Sequence, residues 1–142
     1  MRLLTALLLV GISFFASADA ELVLDSYAFI EVPKAGEVVK QPVEFVDPGD
    51  IILMELHINN IGTSAATNFE VDNPIPELTK LYELPEARFN PFVGNANGQF
   101  FPVSQLQGQR LDQITQLRWT IPLLDAGDQI VLRFRVIVNA PD

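Results

Sequence analysis

Gln129-Ile130-Val131-Leu132-Arg133-Phe134-Arg135-Val136-Ile137-Val138 is the stretch that decides the fold class. Ile130, Leu132, Phe134, Val136 and Val138 fall on one side of an extended chain, with Arg133 and Arg135 on the other. A period of two with one apolar side is the mark of a strand buried on one face. Ile51 to Asn59 repeats it: Ile52, Met54, Leu56 and Ile58 alternate with Glu55, His57 and Asn59. Each run follows a turn signal. In Asp47-Pro48-Gly49-Asp50, Pro presets φ and Gly accepts a positive φ, and Asp125-Ala126-Gly127-Asp128 precedes the last strand in the same way.

Working outward, Leu22 to Val32 is rich in β-formers up to Pro33, and Lys34 to Gln41 reads as a polar connection. Pro42 to Val46 adds a short extended piece. Asn60 to Ala66 reads as a loop, with Gly62 supplying a positive φ, before a strand over Thr67 to Val71. Leu78 to Leu84 is a weaker strand candidate, and Leu117 to Ile121 carries Trp119. No segment sustains a helical period, although Asp112 to Leu117 can form a short turn. About seven strands separated by Gly and Pro turns imply an all-β chain in two antiparallel sheets packed face to face.

Pro85 to Gly108 breaks the pattern, with Phe89, Phe92, Phe100 and Phe101 set among Pro, Gly, Asn and Gln. It reads as a long loop. Loops of this length are functional or disordered as a rule, so the four rings are candidates for an interaction surface or for folding back over the open edge of the sheets.

The first residues have the parts of an export signal: Arg2, an apolar run from Leu3 to Phe15, and Ala18-Asp19-Ala20 as a small-x-small cleavage site. The run is shorter than the ~20 apolar residues a membrane span needs, and Thr5, Gly11 and Ser13 interrupt it. Residues 1–20 are therefore expected to be a signal peptide, leaving Glu21 to Asp142 as a single exported domain without direct membrane insertion. Cys is absent, which excludes disulfides, thiol chemistry and a thiol-linked lipid anchor. Stability must come from one apolar core.

A net charge of −9 opposes binding to nucleic acid and to anionic lipid, both of which need clustered Lys and Arg. His57 is the single histidine, so a Ser-His-acid triad would rest on it alone, and no nucleophile elbow accompanies it. One His also argues against zinc, and two acids per turn at Asp47/Asp50 and Asp125/Asp128 fall short of the six to eight oxygens that calcium takes. Catalytic, cofactor and metal residues are accordingly none.

Asp47-Pro48-Gly49-Asp50, Asn59-Asn60-Ile61-Gly62, Ala65-Ala66-Thr67-Asn68 and Val71-Asp72-Asn73-Pro74 occur in that order. Trp119 and Leu123-Leu124-Asp125-Ala126-Gly127-Asp128 follow, ahead of the strand from Phe134 to Val138. From Val43 to Val138 the chain resembles the bacterial repeat known as domain of unknown function number eleven. That resemblance implies an immunoglobulin-like sandwich and a role as spacer or binding module. Some immunoglobulin-like surface domains cross-link Lys to Asn beside an acid, for which Lys34 or Lys40, Glu55 and Asn139 are the candidates.

The expected function is a non-enzymatic module of the periplasm or cell surface, structural or protein-interacting, with another envelope or extracellular protein as partner. Two alternatives stand beside it. One is glycan binding, with Trp119 and the Phe89 to Phe101 segment as a stacking platform. The other is self-assembly, with Leu22 to Val32 pairing to a neighbour's sheet edge.

Overall fold

The computed structural model describes residues 11–13, 19–106 and 110–140. Most of the expected signal, residues 1–10 and 14–18, lies outside the described residues. Ten strands build two antiparallel five-stranded sheets: β1 (Gly11–Ser13), β2 (Leu22–Lys34), β3 (Glu37–Pro42), β4 (Ile51–Asn60), β5 (Ala66–Pro74), β6 (Thr79–Leu81), β7 (Phe92–Asn95), β8 (Phe100–Pro102), β9 (Ile114–Leu124) and β10 (Gln129–Val138). The sheet orders are β1-β5-β9-β7-β8 and β3-β2-β4-β10-β6. The chain is an all-β sandwich, as expected, with more strands than the seven anticipated.

The alternation in β4 and β10 has the predicted consequence. Ile52, Leu56, Ile58, Leu132, Phe134 and Val136 turn inward and meet Phe69, Val71, Leu117, Trp119 and Ile121 from the other sheet. Each such side chain contributes about 1.5 to 3 kcal/mol on full burial, which holds together a chain that has no disulfide. Trp119, tilted against Phe134 with ring centroids 6.2 Å apart, is 2 % exposed. It is a core residue, so it cannot belong to a stacking platform.

Four segments differ from their sequence reading. The polar connection after Pro33 is a hairpin, since β2 and β3 pair from Phe29↔Pro42 to Lys34↔Glu37 around Ala35 (φ 50) and Gly36 (φ 82). Two positive φ values make a type I′ turn, and Ala at the first position hides the signal that Asn-Gly would give. The Leu78 to Leu84 candidate shortens to β6, and the Asp112 turn is a single 3-10 turn over Leu111–Gln113 leading into β9. The long loop at 85–108 contains β7 and β8, and β7 extends the β9 sheet through Val93↔Leu117.

Self-assembly through the first strand meets a different arrangement. β2 pairs within its own sheet, its first half to β4 from Leu22↔Asn60 to Phe29↔Leu53 and its second half to β3 from Phe29↔Pro42 to Lys34↔Glu37. Two of the crossovers between sheets, β4 to β5 and β9 to β10, lie at one end of the sandwich. Asn60 sits there, 1 % exposed, donating its side-chain amide to the carbonyls of Ser64 and Leu124 at 2.9 Å each. Gly127 N donates to Asn60 O at 2.8 Å, which ties the two crossovers together.

Candidate interaction face

The inward half of β4 and β10 builds the core, so the outward half builds a face. Register places Tyr27, Glu55 and Arg133 in one row across β2, β4 and β10, and Phe29, Leu53 and Arg135 in the next. Asp25, His57 and Val131 form the row on the other side. Outward residues of a sheet facing water are ordinarily polar and exposed. Here Leu53 is 4 % exposed and Glu55 1 %, so this face shelters its own central strand.

Glu55 is held by three cationic or proton-donating groups. Lys40 Nζ and Arg133 Nε donate to Oε2 at 3.0 and 2.8 Å, and His57 Nε2 faces Oε1 at 3.0 Å. In the tautomer that donates to Glu55, His57 Nδ1 is free to accept from the Gln129 amide, 3.5 Å away. Burial pushes the Glu55 carboxyl up, but the hydrogen bonds from His57, Arg133 and Lys40 outweigh it and lower the pKa to about 2. The carboxylate is therefore charged at neutral pH, and its neighbours neutralise it.

The rings around this cluster form a strip. Tyr27 and Phe29 have centroids 6.2 Å apart and planes 20° apart, and Tyr27 meets the His57 ring edge-on at 4.8 Å. Lys40 closes the strip, its ammonium 4.9 Å from the centre of the Phe29 ring. Beside it Arg135 joins Glu31 at 2.9 Å and Glu83 at 2.7 Å. Those bonds raise the Arg135 pKa further above its ordinary value. Tyr27 and Ile51 stay 45 % and 38 % exposed. The result is an aromatic surface with paired charges on a chain that is otherwise acidic.

The four phenylalanines divide. Phe89 and Phe101 are partly buried against the core, with Phe101 opposite Val93. Phe92 and Phe100 stand on the outer side of the β1-β5-β9-β7-β8 sheet, Phe92 opposite Arg118. The Phe100 ring covers Gly94, where a Cβ would lie 2.9 Å from it, and the Arg118 guanidinium sits 3.9 Å from its centre. Arg118 is fixed in turn by a bidentate bond to Asp72, at 2.6 and 3.0 Å, and that bond raises its pKa. Two rings therefore pack on the core, and two lie on the outer side of the sheet that holds β9.

The other chemistry considered in the sequence is not assembled in one place. Lys40 meets Glu55, but Asn139 lies six residues beyond Arg133, roughly 20 Å along the strand direction, and its backbone N–H donates to Leu78 O. Asp50 spends a carboxylate oxygen on the Asp47 backbone N–H at 2.8 Å, closing the Pro-Gly turn. Among the described residues no group of three His, Cys, Asp or Glu could hold a metal ion, and no helix is long and apolar enough to cross a membrane.

Tyr27 and Phe29 were missed as site residues, and Lys40 was considered only for a cross-link, because they come from β2 and β3. Only the register that brings β2 beside β4 shows them around Glu55. No family model, no curated protein and no solved structure matches this chain.

Proposed function

We propose that this chain is an exported, non-enzymatic β-sandwich module of the periplasm or cell surface. Its role is protein interaction, through the outer face of β2, β4 and β10. One observation carries this reading: Phe29, Tyr27 and His57 form an aromatic strip over a buried Glu55 whose charge Lys40 and Arg133 neutralise. Four of the chain's nine basic residues, Lys40, Lys80, Arg133 and Arg135, stand on this face against Asp25, Glu31, Glu55 and Glu83. A face that is locally neutral and aromatic, with Arg at its centre, has the composition of a protein-binding core more than of a solvated surface. The export signal read at residues 1–20 and the resemblance to the bacterial surface repeat support the location.

Immobilised protein should recover an envelope or extracellular protein from extract, and Tyr27→Ser should lose it while Thr120→Ser on the opposite sheet keeps it. Recovery that is equal for the two variants would remove this face from the reading.

Glycan binding is the second reading, favoured by the 20° angle between the Tyr27 and Phe29 rings, which gives a sugar one continuous surface. Because Trp119 is core, the platform moves from the expected segment to β2. Glycan-array binding abolished by Tyr27→Ser would select this reading over a protein partner.

A further inference from the structure

Gly62 was expected to supply a positive φ, yet it is not among the glycines that have one. Its need is for space. A Cβ on Gly62 would lie 2.6 Å from Glu21 N and 3.0 Å from Ala20 Cα, and would overlap the Asp19 carbonyl oxygen. The backbone of Asp19 to Glu21 is thus laid directly on the loop after β4, where only Gly permits it.

The contact is hydrogen-bonded on both sides of the Ala20–Glu21 peptide bond. Thr63 N donates to Asp19 O at 3.0 Å and Ile61 N to Glu21 O at 2.8 Å. Asn60 Oδ1 accepts from Gly62 N at 3.0 Å and from Glu21 N at 3.4 Å. The Asn60 side chain cannot drift from this post, because its amide is anchored on Ser64 O and Leu124 O in a buried position. The bond gripped in this way is the one at which the sequence places signal cleavage.

We propose that the loop Asn60 to Thr63 is a docking site for the amino terminus made by cleavage between Ala20 and Glu21. The inference rests on the export reading above. In that hydrolysis water adds across the peptide bond: the Ala20 carbonyl carbon takes the hydroxyl and becomes a carboxylate, and the Glu21 nitrogen takes protons and becomes an ammonium. The Glu21 ammonium then donates to Asn60 Oδ1 as a charge-assisted bond, stronger than the amide contact it replaces. Glu21 O keeps the Ile61 amide. Thr63 N loses Asp19 O and turns to solvent. Cleavage comes before docking, since the folded loop holds both sides of the scissile bond away from a protease.

The test uses a chain released with a native Glu21 terminus, the same chain with that amino group acetylated, and a chain beginning at Asp19, followed by amide hydrogen exchange. Docking predicts that acetylation lowers protection of the Ile61 amide on the order of tenfold, and that the Thr63 amide is protected only in the chain beginning at Asp19. Gly62→Ala should abolish the acetylation effect without removing the core strands from protection. Ile61 protection that ignores acetylation, or Thr63 protection equal in the two chains, would overturn the docking site. The terminus of protein recovered from cells tests the export reading separately: a first residue other than Glu21 would contradict the cleavage point and leave the exchange result standing on its own.

Discussion

Arg133 donates to Glu55 across the β4–β10 pair at 2.8 Å, and the two residues are direct register partners. A half-exposed cation on the final strand therefore neutralises a carboxylate buried on the central one. Both the charge state of the outer face and the stability of the sandwich pass through this contact.

Acid should weaken the fold through Glu55. Its folded pKa is depressed from 4.5 to about 2, so the unfolded chain binds the proton more readily. The stabilisation is fully present above pH 4.5 and is lost as pH falls toward 2. Glu55→Gln should cost stability at pH 7, and urea unfolding at pH 7, 4 and 2 should show the gap to the native sequence closing. A gap that stays constant with pH would mean that Glu55 contributes through packing alone.

Three of the phenylalanines between residues 85 and 108, Phe89, Phe101 and Phe92, should separate in stability. Phe89→Ala and Phe101→Ala remove rings packed on the core, each costing about 2 to 4 kcal/mol. Phe92→Ala should cost less than about 1 kcal/mol, as expected of a surface position. Thermal unfolding of the three variants gives the comparison.

Ala35 occupies a positive φ of 50° ahead of Gly36, where a type I′ turn favours Asn. Ala35→Asn should raise stability by about 0.5 to 1 kcal/mol, read as a higher urea midpoint at unchanged slope. A loss of stability would show that the β2–β3 hairpin turns in another way.

Arg118 makes two bonds to Asp72 with its guanidinium carbon 3.9 Å from the centre of the Phe100 ring. Lys can keep the charge but not the two-pronged bond of the guanidinium. Arg118→Lys should therefore destabilise by roughly 1 kcal/mol and expose Gly94 and its neighbours to faster hydrogen exchange.

The sandwich was legible wherever one face of a strand is apolar and the other polar, which is why β4 and β10 stand out in the sequence. Strands that are short, or whose turns use unexpected residues, were not: β3 hides behind Ala35-Gly36, and β7 and β8 read as loop because Pro, Gly and Asn surround them. Asn68 hides a further irregularity, since at φ 49 it stands opposite Pro122, which has no N–H to pair, yet β5 and β9 continue on both sides. The site was half visible. Glu55 and His57 could be placed on an outer face from alternation alone, whereas burial of Glu55 depends on Lys40, Tyr27 and Arg133 arriving from other strands. Gly62 was noticed as a glycine but its reason was not, because the segment that needs the space lies some forty residues away in the chain.

The most direct test of the interaction face is site-specific photo-crosslinking in cells, with the probe at Tyr27 and, as a control, at Thr120 on the outer side of the opposite sheet. The account predicts a discrete adduct with an envelope or extracellular protein from position 27 and none from position 120. Adducts from position 120 alone, or none from position 27 in folded, exported protein, would contradict it.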